Sequence, residues 1–316
     1  MHNRTDKKLQ PLVGEKMKIQ NILFRADSSS IIGTGHIMRD LVLAKQFKDS
    51  NIIFATQELD GNINHKIIEA GYKIEILESN TIDELDGVIK KLNIDMLVID
   101  HYDIDETQEK QLKIQNSTLK IMALDDTYEK HYCDILLNHN ISANQNRYKE
   151  LIPKECELRC GAKFTLLREE FLKEKNIKRE KTYDYLLAFG GADSANLNIR
   201  VLKILLDIDK DSDIIVISTV ANRNLEELRA FVTDRDNITL EINSNQVAKI
   251  INQTKLAIIT PSVTANEVYF LQVPFIAIQI ADNQEDIRNF LEINDYKVLK
   301  EFNGIELINL IKEAIL

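Results

Sequence analysis

The chain has 316 residues, enough for two domains of ordinary size. Its composition, 44% hydrophobic and 28% charged, is that of a folded globular protein, and 50 acidic against 40 basic residues leave a net charge of −10. That sign argues against a general nucleic-acid backbone binder, which carries a basic face, and no apolar run reaches membrane-spanning length.

The first segment, residues 1–16, is polar and lacks the apolar core of a secretory signal. It reads as an N-terminal extension, with Met17 standing directly before the first strand-like run. The expected location is therefore the cytoplasm. From there short apolar runs alternate with amphipathic ones. Strands are predicted at 19–24, 52–55, 74–77, 96–99, 121–124 and 135–137. Helices are predicted at 37–47, 64–70, 81–92 and 106–114. A charged run, 168–181, contains no apolar strand and reads as a helix followed by a linker. Beyond it strands are predicted at 185–189, 214–218, 238–240, 256–259 and 275–280, with helices at 197–206, 225–232, 246–253 and 265–271. Strands alternating with helices imply βαβ units and parallel sheets. The expected fold class is α/β, with two Rossmann-like domains facing a central cleft. The expected domains are 17–168, carrying the chemistry, and 181–316, carrying the nucleotide.

In such sheets ligands bind outside the carboxyl ends of the strands, so the residues just after each apolar run matter most. After the first strand come Arg25, Asp27 and then Gly33-Thr34-Gly35-His36. Glycines in such a turn let the backbone approach a ligand, having no Cβ and accepting positive φ. The turn opens a helix, whose free N–H groups and positive dipole end tolerate an anion and disfavour an imidazolium. His36 then fits a general base beside an anion-tolerant pocket. A plain glycine turn with a capping histidine is the competing reading of the same spacing. Further along the rim lie Asp100-His101-Tyr102-Asp103, Asp125-Asp126 and Asn138-His139-Asn140. Asp125-Asp126 reads as a capping device more readily than as a metal site. The three cysteines, Cys133, Cys156 and Cys160, have no matched histidines and form no disulfide framework.

In the second half, Gly190-Gly191-Ala192-Asp193 follows a strand and precedes a helix, where amides cradle a phosphate. Thr260 to Glu267 makes a second such link; its hydroxyls and amides suit a diphosphate, and Glu267 a ribose diol. Thr264 and Glu267 also have capping-box spacing. Asp282-Asn283-Gln284 follows the last predicted strand and reads either as a contact reaching the cleft or as a turn.

Phe24-Arg25-Ala26-Asp27-Ser28, Gly33-Thr34-Gly35-His36-Ile37-Met38-Arg39 and Asp100-His101-Tyr102 resemble the N-terminal signatures of the nucleotide-sugar hydrolases of pseudaminic acid biosynthesis. The resemblance continues through Cys133 to Asn138, Arg159-Cys160-Gly161, Leu166 to Phe171, Gly190 to Asp193 and Ser262 to Glu267, and so runs from about Met17 to Asp286. It implies a GT-B-like architecture and hydrolysis of UDP-2,4-diacetamido-2,4,6-trideoxy-β-L-altropyranose to UDP and free sugar. The sugar then proceeds toward a nonulosonic acid used on bacterial surface glycans and flagellins. It also implies C–O cleavage at the anomeric carbon with inversion and without a metal or other cofactor. His36 falls on the family's histidine, Tyr102 on its Asp-His-Tyr segment, and Asn283 and Gln284 on its late Asn-Gln pair.

The candidate catalytic residue is therefore His36, as base for the attacking water. Candidate substrate contacts are Arg25, Asp27, Gly33, Gly35, Arg39, Tyr102, Asn283 and Gln284. Candidate UDP contacts are Gly190, Gly191, Asp193, Ser262, Thr264, Asn266 and Glu267. The expected partner is the UDP-sugar, with no nucleic acid and no membrane, and the chain is expected to act as a monomer. Two rival functions use the same residues: a UDP-sugar-dependent glycosyltransferase, with an alcohol replacing water, and a non-catalytic nucleotide-sugar binding protein.

Overall fold

The structure, a computed structural model, describes residues 19–315; the extension 1–16 lies outside the described residues. The chain divides into two compact units, one ending at Leu166 and the other beginning at Leu167.

The first unit contains strands β1 (Asn21–Ala26), β2 (Asn51–Gln57), β3 (Lys73–Leu77), β4 (Met96–Asp100), β5 (Lys120–Leu124), β6 (Ile135–Asn138) and β7 (Glu157–Cys160), with helices α1 (Gly35–Ala44), α2 (Asn64–Glu69), α3 (Ile82–Lys91) and α4 (Glu106–Gln115). All strand pairs are parallel, in the order β3-β2-β1-β4-β5-β6-β7. The strands are apolar on both faces because both faces are covered. Leu23, Leu97, Ile121 and Leu136 pack on one side with Leu85 and Ile89 of α3 and Leu112 of α4. Phe24, Val98, Met122 and Leu137 pack on the other with Ile37 and Leu41 of α1. Phe24 stacks on Phe54 of the neighbouring strand at 4.9 Å between ring centroids, a cross-strand pair that pins the β1–β2 register.

The second unit begins with α5 (Glu169–Glu174) and continues β8 (Tyr183–Ala188), α6 (Leu197–Ile208), β9 (Ile214–Ser218), α7 (Leu225–Val232), β10 (Ile238–Ile242), α8 (Val247–Asn252), β11 (Thr254–Ile259), α9 (Val263–Leu271), β12 (Phe275–Ile278), α10 (Glu285–Ile293), β13 (Lys297–Leu299) and α11 (Gly304–Ile315). Its parallel order is β10-β9-β8-β11-β12-β13. The charged run after Arg168 thus carries α5, which packs on α8 and α9 and holds the buried Phe171.

Each sheet has one place where the chain order reverses: between β1 and β4 in the first unit, and between β8 and β11 in the second. At such a point the loops leaving neighbouring strands diverge and open a crevice at the carboxyl edge. The glycine turn before His36 and Asp100 flank the first reversal. The loops at Gly190 and Ser262 flank the second.

Candidate active site

In the first unit the turn after β1 is tied down before it reaches the helix. Ser29 and Gly33 exchange backbone hydrogen bonds at 3.2 and 2.8 Å, and Ser29 Oγ accepts from the amides of Ile31 and Ile32. Gly33 has φ +85°, the left-handed region that favours glycine. Gly35 does not; it opens α1 with free space where a Cβ would lie. The cap is Thr34, whose side chain makes no capping bond, so His36 lies inside the first turn rather than capping it. The amides of Gly35, His36 and Ile37 donate to no described residue. They leave an electropositive helix start at the crevice.

His36 is 8% exposed. Its Nδ1 lies 3.0 Å from the backbone carbonyl oxygen of Asp100. A carbonyl only accepts, so Nδ1 carries the hydrogen and Nε2 is left as a lone-pair acceptor. Nε2 meets no hydrogen-bond partner among the described residues. The Tyr102 ring stands edge-on to the imidazole at 4.9 Å, and Tyr102 is 62% exposed.

Asp100 also anchors the cation of this rim. Arg39 Nε donates to Asp100 Oδ2 at 2.6 Å, its Nη2 pairs with Asp100 Oδ1, and its Nη1 donates to Asp126 Oδ2 at 2.9 Å. Burial works to raise the Asp126 carboxyl, but Arg39 outweighs it and holds the group below the usual carboxylate range. The Tyr102 hydroxyl donates to Asp126 at 3.1 Å and is pushed up to about 12, by burial first and then by that carboxylate. His139, at the end of β6, is lowered to about 4 by burial and by Arg39. Asp40, fully buried beside Asp100, is driven well above its ordinary value by burial and then by the Asp100 charge.

Behind this rim lies a second network. Arg25 and Asp27, each 1% exposed, form an ion pair at 2.7 Å. Arg25 also donates to the Ala55 carbonyl and to Asn80. His101 Nδ1 accepts from the Asp103 amide at 3.1 Å, which leaves Nε2 to donate to Asp27 at 3.0 Å. Burial pushes the Asp27 carboxyl up, but His101 and Arg25 together hold it well below the usual range. Arg25 and Asp27, expected at the substrate, are enclosed here: they hold the loop that carries Asp100 and Tyr102. Asp125 and Asp126 diverge. Asp125 accepts from the Thr127 and Tyr128 amides and the Tyr148 hydroxyl, while Asp126 faces Arg39. Among the described residues no three His, Cys, Asp or Glu side chains group as a metal site.

In the second unit the rim is mostly backbone. Gly190 has φ +75°, and the amides of Gly191 and Ala192 donate to no described residue. A Cβ at Gly191 would meet Thr219 Oγ1 at 3.1 Å; Thr219, beyond β9, donates to the Gly191 carbonyl at 2.8 Å. Thr219 lies outside every motif singled out in the sequence. Asp193, expected at UDP, turns inward instead. It is 1% exposed and accepts from the Leu197 and Asn198 amides and the Asn198 side chain, capping α6. The α9 cap is Ser262, not Thr264, because the helix begins at Val263. The capping-box alternative for Thr264 and Glu267 therefore falls: Glu267 pairs with Arg168 at 3.1 Å instead. The amides of Val263 and Thr264 donate to no described residue, and Thr260 and Ser262 hydroxyls lie 3.0 Å apart beside them. Asn266 is buried. Asn283 is exposed, with no side-chain hydrogen bond among the described residues, whereas Gln284 accepts from the Ile280 amide at 2.9 Å and holds its own loop. No helix among the described residues is long and apolar enough to cross a membrane.

No protein-family profile matches the chain. A curated relative, UDP-2,4-diacetamido-2,4,6-trideoxy-β-L-altropyranose hydrolase of Campylobacter jejuni, is 40% identical over 277 residues, covering 88% of this chain and 98% of the relative. An uncharacterised protein of Methanocaldococcus jannaschii is 30% identical over 264 residues, covering 80% of this chain and 54% of that protein. Among solved structures, MurG of Acinetobacter baumannii matches with a TM-score of 0.66 at 13% identity, covering 94% of this chain and 91% of MurG. That last likeness is one of fold.

Proposed function

We infer the function from a premise those comparisons supply: this chain belongs to the family of the UDP-2,4-diacetamido-2,4,6-trideoxy-β-L-altropyranose hydrolase. It is a nucleotide-sugar hydrolase that cleaves this UDP-sugar to UDP and free sugar. We propose that water attacks the anomeric carbon with inversion and that His36 Nε2 removes its proton. The observation that carries this is the 3.0 Å bond from His36 Nδ1 to the Asp100 carbonyl, which fixes the tautomer and leaves the other nitrogen as acceptor. The attacking oxygen bonds to C1, the C1–O bond to the β-phosphate breaks, and UDP leaves with the electron pair.

The departing diphosphate is the reason the second unit matters. Its growing charge is met by dipoles already in place: the free amides at Gly191 and Ala192, and those of Val263 and Thr264 at the start of α9. Ser262 and Thr264 add hydroxyls, Asn266 supports the turn, and Glu267 accepts from the ribose. In the first unit Gly33 and Gly35 keep the crevice open, and Arg39 and Tyr102 frame the sugar there. Arg25, Asp27 and Asp193 act one layer back, by holding loops. The reading places the enzyme in the cytoplasm, as a monomer. The two units, which divide between Leu166 and Leu167, then separate chemistry from nucleotide binding.

The test is His36→Asn. A positioned general base contributes about 10²–10⁴-fold, so kcat is expected to fall by that factor while UDP affinity stays at the wild-type value. Turnover near the wild-type rate would remove His36 from the mechanism. Release of UDP only on addition of an alcohol acceptor would favour glycosyl transfer.

A further inference from the structure

Glu267 sits in α9, 9% exposed, in a helix that carries no basic residue. Burial drives such a carboxyl toward its neutral form, and it does so here, with Arg168 opposing it. Arg168 stands immediately before α5. Its Nη2 donates to Glu267 Oε1 at 3.1 Å, and its Nη1 lies 2.6 Å from Glu170 Oε1. The guanidinium carbon lies 5.1 Å from the centre of the Phe171 ring. Glu170 is itself held, since its Oε2 accepts from the Ala248 amide at the start of α8 at 3.4 Å. The cation is thus fixed from three directions. The second oxygen of Glu267 has no partner among the described residues.

A carboxylate with one oxygen clamped and the other open is an acceptor of set direction. A planar guanidinium does this better than an ammonium, because its fork holds two carboxylates at fixed angles. We propose that Arg168 is the positioning residue of nucleoside recognition: it fixes one oxygen of Glu267 so that the other accepts from the ribose hydroxyls of the uridine nucleotide. The proposal rests on the assignment of Glu267 to the ribose made above. Arg168 acts through Glu267 and takes no part in bond breaking.

Calorimetric affinities of the full chain for UDP, 2′-deoxy-UDP and 3′-deoxy-UDP test it. Hydrogen bonds to a charged group set the scale, so wild type is expected to prefer UDP over at least one deoxy analogue by about ten- to a hundredfold. Glu267→Gln is expected to lose that preference, and Arg168→Gln to lose most of it. Arg168→Lys, which keeps the charge but not the fork, is expected to retain part. Added to Glu267→Gln, Arg168→Gln is expected to change nothing further. In turnover, Arg168→Gln raises KM and leaves kcat near its wild-type value. If Glu267→Gln keeps the preference, the ribose assignment itself fails. If Glu267→Gln loses it and either Arg168 variant keeps it in full, the positioning role fails alone. A further loss in the double variant, equal for UDP and its deoxy analogues, would also overturn that role.

Discussion

The two units share a topology and use it in opposite ways. At the reversal between β1 and β4, the first unit gathers charged side chains, each with a partner: Arg39 between Asp100 and Asp126, and Asp27 between Arg25 and His101. At the reversal between β8 and β11, the second unit gathers glycines, hydroxyls and amides unpaired among the described residues, with Arg168 paired to Glu267 and Glu170 behind them. A fold supplies the crevice in both cases; on the proposed reading the residues at the strand ends decide whether it does chemistry or holds a leaving group. Proton transfer needs one imidazole of set tautomer; a backbone carbonyl sets it, and ion pairs hold the residue that carries that carbonyl. A diphosphate needs many weak donors already aimed, and backbone supplies them.

The sharpest way to break this contrast is to unbalance the first rim. Arg39→Met leaves Asp100, 1% exposed, without its cation, and removing one partner of a buried pair costs about 3–5 kcal/mol. Urea unfolding is expected to show that loss, with UDP affinity unchanged in the folded fraction. A loss under about 1 kcal/mol would mean a solvated pair of little consequence.

A second test uses His139, which faces Arg39, Asp126 and Asp100. Burial and Arg39 lower it from an ordinary 6.5 to about 4 in the folded chain. The unfolded chain therefore takes up the proton first as pH falls from 6.5 toward 4, and stability drops across that window. The contribution is on the order of 3 kcal/mol. His139→Gln is expected to flatten the pH–stability curve between those values relative to wild type. An unchanged slope would show that the imidazole is solvated.

The smallest effects come from two of the positive-φ glycines, one at each rim. Alanine at Gly33 or Gly190 costs about 1 kcal/mol in backbone strain. Gly33→Ala is expected to lower kcat without altering UDP affinity, and Gly190→Ala to weaken UDP binding several-fold with kcat at saturation kept. Equal effects on both quantities would erase the division of labour.

Much of the scaffold is legible from apolar periodicity. The predicted bounds of β9 and α7 coincide with the structure. What periodicity misses has little of it. β7 has only four residues, two of them the charged Glu157 and Arg159, and β13 has three. α10 and α11 lie beyond the last predicted strand, in a stretch of few motifs. At the site, the glycine turn and His36 can be picked out because they are contiguous. The Asp100 carbonyl that sets the His36 tautomer is 64 positions away, and no local pattern links the two. Asp193 shows the converse: a loop aspartate reads equally as ligand contact or cap, and only its three bonds to α6 residues distinguish them.

The central claim, attack by water on carbon beside His36, is tested most directly by turnover of the UDP-sugar in heavy-oxygen water without acceptor, followed by mass spectrometry of both products. The expected result is one labelled oxygen in the free sugar and none in UDP. Label in the terminal phosphate of UDP would place the attack at phosphorus and contradict the account.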